Sequence, residues 1–359
     1  MILEKLSLIN FKNIDNNSLE FGDFINCFIG ENGVGKTNVL DSIYQLAMTK
    51  SYFGSKLSQS IKHDCDFMLI DGKFKKDQKE EHVVNSLKRG EKRVIKRNGK
   101  KYKKFSDHIG FISVVMISPY DIDLIQEGSS TRRKFVDHII SQNNKLYLSQ
   151  LINYNKILTQ RNALLKFFKK KNTFDEKVLK VYDNQLNELS KPIFDTRAKF
   201  MKNFVPLFLN RYNTISQNKE TVNILFQSQL INDSLDNLLS KSIEKDRYLQ
   251  FTSCGIHKDD LVFEIDNYPI KRFGSQGQQK SFLISLKLAQ FDFLKNESKS
   301  SPILLFDDIF DKLDNGRVKQ LMKLVDEEEF GQLFLSDTDL LRTEKIIKEL
   351  NRDYKIFKL

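Results

Sequence analysis

Cysteine is scarce in this chain, and what there is forms no pattern. Cys27, Cys65 and Cys254 are odd in number, far apart, and include no Cys-x-x-Cys pair. That excludes a disulfide framework and a cysteine-built zinc site, and it suits a reducing compartment. His63, near Cys65 and Asp66, has no fourth ligand in view, so no metal site is expected there. No apolar run is long enough to span a bilayer, so the chain is not expected to be a transporter itself. The opening residues, Met1 to Leu8, are interrupted by Glu4 and Lys5 and lack the charged-then-apolar profile of a secretory signal, so a cytoplasmic location is expected. Internal repeats, low-complexity tracts and a sustained heptad array are also missing, which argues against a repeat protein and a very long coiled coil.

What is present is a basic chain able to bury a core. Its 359 residues are 40% hydrophobic, enough for two domains or one large domain carrying an insertion. Lys and Arg total 58 against 47 acids, a net charge of +11. That excess suits a polyanionic partner such as nucleic acid. A composition generally rich in lysine and asparagine accounts for it equally well.

Residues 2–10 read as a strand, with Leu6 and Leu8 on one face. Phe24 to Ile29 reads as a buried strand running into Gly30. Val39, Leu40, Ile43, Tyr44 and Ala47 recur at helical spacing directly afterwards. Residues 83–105 read as a hairpin turned at Asn98-Gly99, with Gly110 to Ser118 as another apolar strand. From about 120 to 250 glycine becomes rare, proline is confined to Pro192 and Pro206, and apolar residues take helical spacing (Tyr147, Leu151, Tyr154, Leu158; Leu179, Tyr182, Leu186, Leu189). Strand texture returns at Leu261 to Ile265, then at 303–307, 332–336 and 354–359. The division expected is an N-terminal part over 1–119, a helical insertion over 120–250 and a C-terminal part over 251–359.

Three motifs carry the chemistry. Gly30-Glu31-Asn32-Gly33-Val34-Gly35-Lys36-Thr37, followed by Asn38, matches the full P-loop pattern between a strand and a helix. Its N–H groups and the helix dipole would cradle phosphates, Lys36 would neutralise the β- and γ-phosphates, and Thr37 would place its hydroxyl on Mg²⁺. The apolar run Ile303 to Phe306 ends in two acids. Asp307 would hold the metal and Asp308 would polarise the attacking water as general base. Ser275, Gln276, Gly277 and Gln278, with Gln279, precede a helix whose start could take a second anion. Because the chain's own γ-phosphate is already cradled, that second site makes most sense in trans, in a two-fold dimer holding two ATP molecules. An ordinary helix cap is the plainer alternative. Asp311 and Asp314 could communicate across such an interface, or be surface acids.

With these motifs in this order, the chain resembles the ABC-type ATPase heads of the SMC group and its DNA-repair relatives, above all the RecF family. The resemblance covers the whole chain. It runs from Leu6 to Asn13 (first strand) through Gly30 to Asn38 (Walker A), Ser118 to Leu124 with Arg132 to Asp137 (entry to the helical arm), Gly255 to Leu261, Ser275 to Gln279 (signature) and Leu304 to Asp314 (Walker B and D-loop). Ile256 and Lys258 depart from the family's Pro and Arg. Ser51-Tyr52-Phe53-Gly54 stands where Ser-His-Arg-Thr is usual, and Ser336-Asp337-Thr338 occupies the switch position where many relatives carry His. Thr338 or Asp337 would then be the γ-phosphate sensor.

The resemblance implies an α/β fold: an ABC-type P-loop ATPase head, a mixed sheet with flanking helices, carrying an inserted, mostly helical arm. It implies a slow, Mg²⁺-dependent ATPase used as a switch, and an ATP-dependent homodimer that clamps gapped DNA in recombination, replication and the repair of DNA damage (the SOS response included). It further implies that the dimer acts beside RecO and RecR to place RecA. Asp308, shorter than the Glu common in ABC enzymes, fits a timer rather than a motor. An SMC-like structural ATPase would need a longer arm, a transporter's nucleotide subunit would need a membrane partner, and a nuclease-coupled ATPase would need a further acidic domain. For DNA, the best local candidates are Lys92, Arg93, Lys96, Arg97, Lys100 and Lys101 in the basic hairpin, which could also be a lysine-protected sheet edge. Lys166, Lys169, Lys170 and Lys171 form a second basic run on a helix, which could line a clamp or be an exposed face. Arg132 and Arg133 could reach phosphate or brace the arm, and His257 reads as structural.

Overall fold

The computed structural model describes residues 1–54, 56–298, 300–309, 316, 318, 320, 322, 330–350 and 352–359. Two compact units result. The first holds Met1–Ile122, Asn210–Lys219 and Ser275–Leu359; the second holds Asp123–Leu209 and Glu220–Gly274. In chain order the first unit supplies β1 (Ile2–Phe11), β2 (Ile14–Glu20), β3 (Ile25–Ile29), α1 (Lys36–Met48), β4 (Phe67–Lys76), β5 (Lys79–Lys88), β6 (Val94–Arg97), β7 (Lys100–Lys101) and β8 (Val114–Ile117). The second supplies α2 (Asp123–Gln126), α3 (Ser129–Asn143), α4 (Lys145–Lys171), most of α5 (Glu176–Ser216), β9 (Val222–Gln227), α6 (Leu235–Leu249), β10 (Asp260–Ile265), β11 (Tyr268–Pro269) and α7 (Ile270–Phe273). The chain then returns to the first with α8 (Gln276–Ser298), β12 (Ile303–Asp307), β13 (Leu333–Asp337), α9 (Leu340–Lys348) and β14 (Tyr354–Lys358).

Two sheets build the first unit, making it α/β as expected. One is a six-stranded antiparallel meander in the order β2-β1-β4-β5-β6-β7; the other is parallel, in the order β14-β3-β13-β12-β8. Every residue of β3, β8, β12 and β13 is buried, which is why those segments read as unbroken apolar runs rather than alternating ones. Helix α1 touches β12, β13 and β8 of the parallel sheet and β4 and β5 of the meander. A helix covered on both sides needs partners for its polar residues too, and Asp41, Ser42 and Gln45 are all fully buried and hydrogen-bonded. Gln332 pins the two sheets together: it accepts from the Leu3 N–H at 2.7 Å and donates to the Leu3 and Gly22 carbonyls at 2.9 and 2.8 Å.

Helices α3 to α6 dominate the second unit, as their apolar spacing predicts. Two buried guanidinium groups hold them. Arg161 of α4 donates to Asp183 of α5 at 2.6 Å and to Asp246 of α6 at 2.7 Å. Arg197 of α5 binds Asp137 of α3 and Asp259. Buried charge is tolerable only when paired this way, and removing one partner from such a pair costs about 3–5 kcal/mol.

The division departs from the expectation in two places, and in one of them Asn210–Lys219, expected within the insertion, belongs to the first unit. Residues 251–274 belong to the second unit, not with the C-terminal part, because β10 pairs with β9 (Leu261 with Phe226, Phe263 with Ile224, Ile265 with Val222). The insertion therefore carries a three-stranded sheet, β11-β10-β9, beside its helices. Among the described residues no helix is long and apolar enough to cross a membrane.

Candidate functional site

The parallel sheet delivers two chain segments to one place. The loop after β3 turns at Gly35, whose φ of +114° is strained for any side chain and whose added Cβ would lie 3.0 Å from Asn13 Oδ1. At Gly30 a Cβ would come within 2.7 Å of the Leu359 carbonyl. The turn between β1 and β2 braces the loop from outside: Asn13 donates to the Gly33 carbonyl at 2.9 Å and accepts from Asn38 at 2.7 Å. Lys36 is buried and curls back on its own loop, donating to the carbonyls of Gly30 and Glu31 at 2.7 and 2.9 Å.

Opposite the loop stands the end of β12. The Thr37 hydroxyl donates to Asp307 Oδ1 at 2.7 Å, and the Ser336 hydroxyl at the end of β13 donates to the same oxygen at 2.9 Å. The Ser118 hydroxyl, just past β8, approaches Asp307 Oδ2 at 3.4 Å. Burial raises the Asp307 pKa above the usual carboxylate value, while the hydrogen bonds from Thr37, Ser336 and Ser118 and the charge of Lys36 pull the other way. Asp308 breaks the strand at φ +50°, and its N–H donates to Ser336 Oγ at 3.0 Å. Asn32, Gly33, Gly35, Lys36, Thr37, Asn38, Asp308 and Ser336 together enclose a cavity of about 120 Å³. Glu31 and Val34 are exposed and outside that lining.

Ser275 caps α8 through a reciprocal box: its N–H donates to Gln278 Oε1 at 2.7 Å and its hydroxyl accepts the Gln278 N–H at 3.2 Å. Ser275 and Gln276 are exposed, Gly277 and Gln278 half-buried. A helix of 23 residues opens there onto solvent, with the positive end of its dipole outward.

Of the switch residues, Asp337 and Thr338 are not among those lining the cavity. Asp337 is fully buried and engaged by the Arg342 guanidinium, the Thr343 hydroxyl and the Thr338 N–H, which tie it to the first turn of α9, a helix capped by Asp339. Ser336, its neighbour, is the one that faces the cavity. The sequence marks it only as one of three residues at the switch position, because its own contacts depend on β13 lying beside β12. Asp311 and Asp314 lie outside the described residues.

The basic hairpin divides. Asn98 and Gly99 take positive φ as a two-residue turn requires, but they join β6 to the short β7, and residues 89–93 join β5 to β6. Lys92, Lys96, Lys100 and Lys101 are exposed. Arg97 instead forms a two-pronged pair with Glu81 (2.8 and 2.6 Å) and stacks on Phe111 at 3.6 Å. Arg93 lies over Phe105 at 4.8 Å, and burial lowers its pKa from the ordinary value. Both arginines serve the fold, since long cations cover apolar surface as readily as they reach phosphate. Arg132 pairs with Asp260, and Arg133 donates to the Asp259 carbonyl; both therefore brace the second unit internally. His257, held between Tyr154 and the Thr252 carbonyl, has its pKa pushed down to about 4 by burial and is neutral at pH 7. Phe53 packs edge-on against Tyr120 beneath the Lys12 ammonium.

The chain is similar to known proteins along nearly its whole length. The family model described as the RecF/RecN/SMC N terminal domain matches residues 2–356. A DNA replication and repair protein RecF from Flavobacterium johnsoniae is 56% identical over 359 residues, covering 100% of both chains. A structure of the recombination mediator protein RecF-ATPrS in the RecFOR pathway superposes with a TM-score of 0.88 at 31% identity, covering 99% of this chain and 95% of that one. A RecF-ATP structure from the same pathway does so with a TM-score of 0.88 at 32% identity, covering 94% and 92%.

Proposed function

The chain belongs to the RecF family of ABC-type P-loop ATPases, and from that premise we propose an ATP-dependent DNA-binding protein of replication and recombinational repair, whose nucleotide sites are completed when two copies meet face to face. The observation that carries this reading is the meeting of Thr37 and Asp307 at 2.7 Å, 270 positions apart, beside a buried lysine that donates to loop carbonyls. Lys36 exchanges those carbonyls for the β- and γ-phosphate oxygens of ATP, and the loop N–H groups cradle the rest.

Mg²⁺ fits the residues present. The Thr37 hydroxyl and the Asp307 carboxylate are hard oxygen donors already within hydrogen-bond reach of each other. When bound, the metal would offset the charge of the phosphates. Asp308, held by Ser336 through its N–H, presents its carboxylate to the cavity as general base for the attacking water. A short carboxylate reaches that water less well than a glutamate would, so turnover is slow and serves as a timer.

The exposed Ser275 and the open start of α8 grip the γ-phosphate of the second copy. Closure of the pair holds DNA, with Lys92, Lys96, Lys100 and Lys101 contacting phosphates. Gapped DNA, RecO and RecR as partners, RecA loading and a cytoplasmic location follow from the family; the RecFOR description of the superposed structures supports the partners. ATP binding, more than hydrolysis, sets the DNA-bound population. Retention on gapped DNA, measured across a salt series with and without ATP, tests this. ATP should raise retention in the wild type and leave Lys36→Met unmoved. ATP-stimulated retention persisting in Lys36→Met contradicts the reading.

A further inference from the structure

Three polar side chains meet in the first unit beside the nucleotide site: half-buried Tyr52 after α1, buried Asp121 in the single turn Pro119–Ile122 after β8, and buried Lys287 midway along α8. The Lys287 ammonium donates to the Tyr52 hydroxyl at 2.7 Å and pairs with Asp121 Oδ1 at 2.8 Å; the Tyr52 hydroxyl donates to that same oxygen. The Lys287 and Asp121 side chains are each only 5% exposed. Burial, and then the charge of Asp121, hold the Tyr52 phenol well above its ordinary pKa, so it stays a donor. A buried ion pair of this kind is often no more stabilising than an apolar cluster of the same volume. Its value then lies in what it positions.

All three residues lead to the nucleotide site. Asp41 of α1 accepts the Tyr52 N–H at 2.8 Å and the Ser51 hydroxyl at 3.0 Å and pairs with Lys12 at 2.7 Å, so Tyr52 is fixed to the helix that begins at Lys36. The second oxygen of Asp121 accepts the Ser118 N–H at 2.8 Å, and the Ser118 hydroxyl reaches Asp307 at 3.4 Å. That last contact is long against the about 2.5–3.0 Å of a good hydroxyl–carboxylate bond, so it is the link with room to tighten. Lys287 rides on α8, whose open end carries Ser275.

We propose that Tyr52, Asp121 and Lys287 are positioning residues that tie α8 to Asp307 through Ser118, so that capture of α8 by a second copy's nucleotide is transmitted to the first copy's own hydrolytic site. The inference rests on the face-to-face reading above. It gives a role to Tyr52, which departs from the family's usual His.

Tyr52→Phe removes one oxygen and keeps the ring contacts with Tyr44 and Phe53, so it tests the relay better than Lys287→Met, which strands a buried carboxylate. Tyr52→Phe should leave the affinity for a fluorescent ATP analogue and the ATP-dependent dimer within about twofold while lowering kcat about tenfold. Ser118→Ala should do the same, and the double variant should be no slower than either single one. In a Ser275→Arg background, where no dimer forms, Tyr52→Phe should change residual turnover by less than about twofold. Multiplying losses in the double variant, an equal loss in both backgrounds, or an unchanged kcat in Tyr52→Phe would overturn the relay. A Ser275→Arg protein that still dimerises with ATP would instead strike the face-to-face reading and with it the trans trigger, while losses that do not multiply in the Ser118 cycle would still show Tyr52 acting through Ser118.

Discussion

Replacing Ser336 with alanine deletes a single oxygen that performs two tasks. It donates to Asp307 Oδ1 at 2.9 Å and accepts the Asp308 N–H at 3.0 Å, in a position only 2% exposed. Loss of the acceptor removes the hydroxyl that holds the Asp308 backbone, worth about 1–3 kcal/mol for a buried donor, and loss of the donor takes one of the bonds that favour an ionised Asp307. The two losses share one atom and do not add, so a drop of about 2 kcal/mol in the stability of the nucleotide-free protein is expected. If the same misplacement is felt fully in the transition state, kcat falls roughly thirtyfold, at 1.4 kcal/mol per factor of ten. Urea unfolding followed by circular dichroism gives the first number, and steady-state ATP turnover the second. Affinity for ATP should change little, because Lys36 and the loop are untouched. A Ser336→Ala protein that turns over ATP within about twofold of wild type would refute the assignment of Ser336 as the residue that positions the paired acids.

Other outcomes follow from the same geometry. Burial raises the Asp307 pKa in the folded chain, so ionised Asp307 lowers stability above that raised value. Asp307→Asn should therefore stabilise the nucleotide-free protein at neutral pH, with the gain vanishing as pH falls below the ordinary carboxylate value of 3.8, while abolishing Mg²⁺-dependent turnover; thermal unfolding over a pH series reads this. His257 has the opposite sign. With its pKa lowered from 6.5 to about 4, the unfolded chain takes up the proton first, so stability is lost as pH falls through that window, by at most roughly 3 kcal/mol. His257→Gln should flatten that loss in acid unfolding curves. In DNA binding, replacing Lys96, Lys100 and Lys101 together should reduce the slope of log affinity against log salt by about 0.9 for each phosphate that is no longer neutralised. Arg97→Ala should leave the slope unchanged and lower the unfolding midpoint, since Arg97 serves Glu81 and Phe111.

The sequence disclosed the parts whose chemistry is local. A glycine loop between a buried strand and a helix, an apolar run closing on two acids, and a serine-glutamine start to a helix are contiguous, and all three take the expected local form. The features that escaped are non-local. Strand β9 meets β10 only after the whole of α6 has intervened (Ile224 pairs with Phe263), and nothing in the periodicity of Val222–Gln227 names that partner, so the insertion read as helical and its C-terminal boundary fell early. The basic hairpin read as uniform charge because the partners of Arg93 and Arg97, namely Phe105, Phe111 and Glu81, are set by sheet register and loop packing. Ser336 and Asn13 stood within recognised stretches, but their contacts escaped for the same reason: each acts on a segment brought to it by the fold. A buried polar residue at the end of a core strand is the signal that would have singled out Ser336.

The shared-nucleotide claim is tested most directly by mixing two disabled proteins. Lys36→Met keeps an intact Ser275 but cannot hold ATP; Ser275→Arg holds ATP but cannot grip it in trans. Light scattering with ATP and Mg²⁺ should find each variant monomeric alone and a dimer when the two are combined, because one composite site is then whole. A mixture that stays monomeric while wild type dimerises, or either variant dimerising alone, would contradict the account.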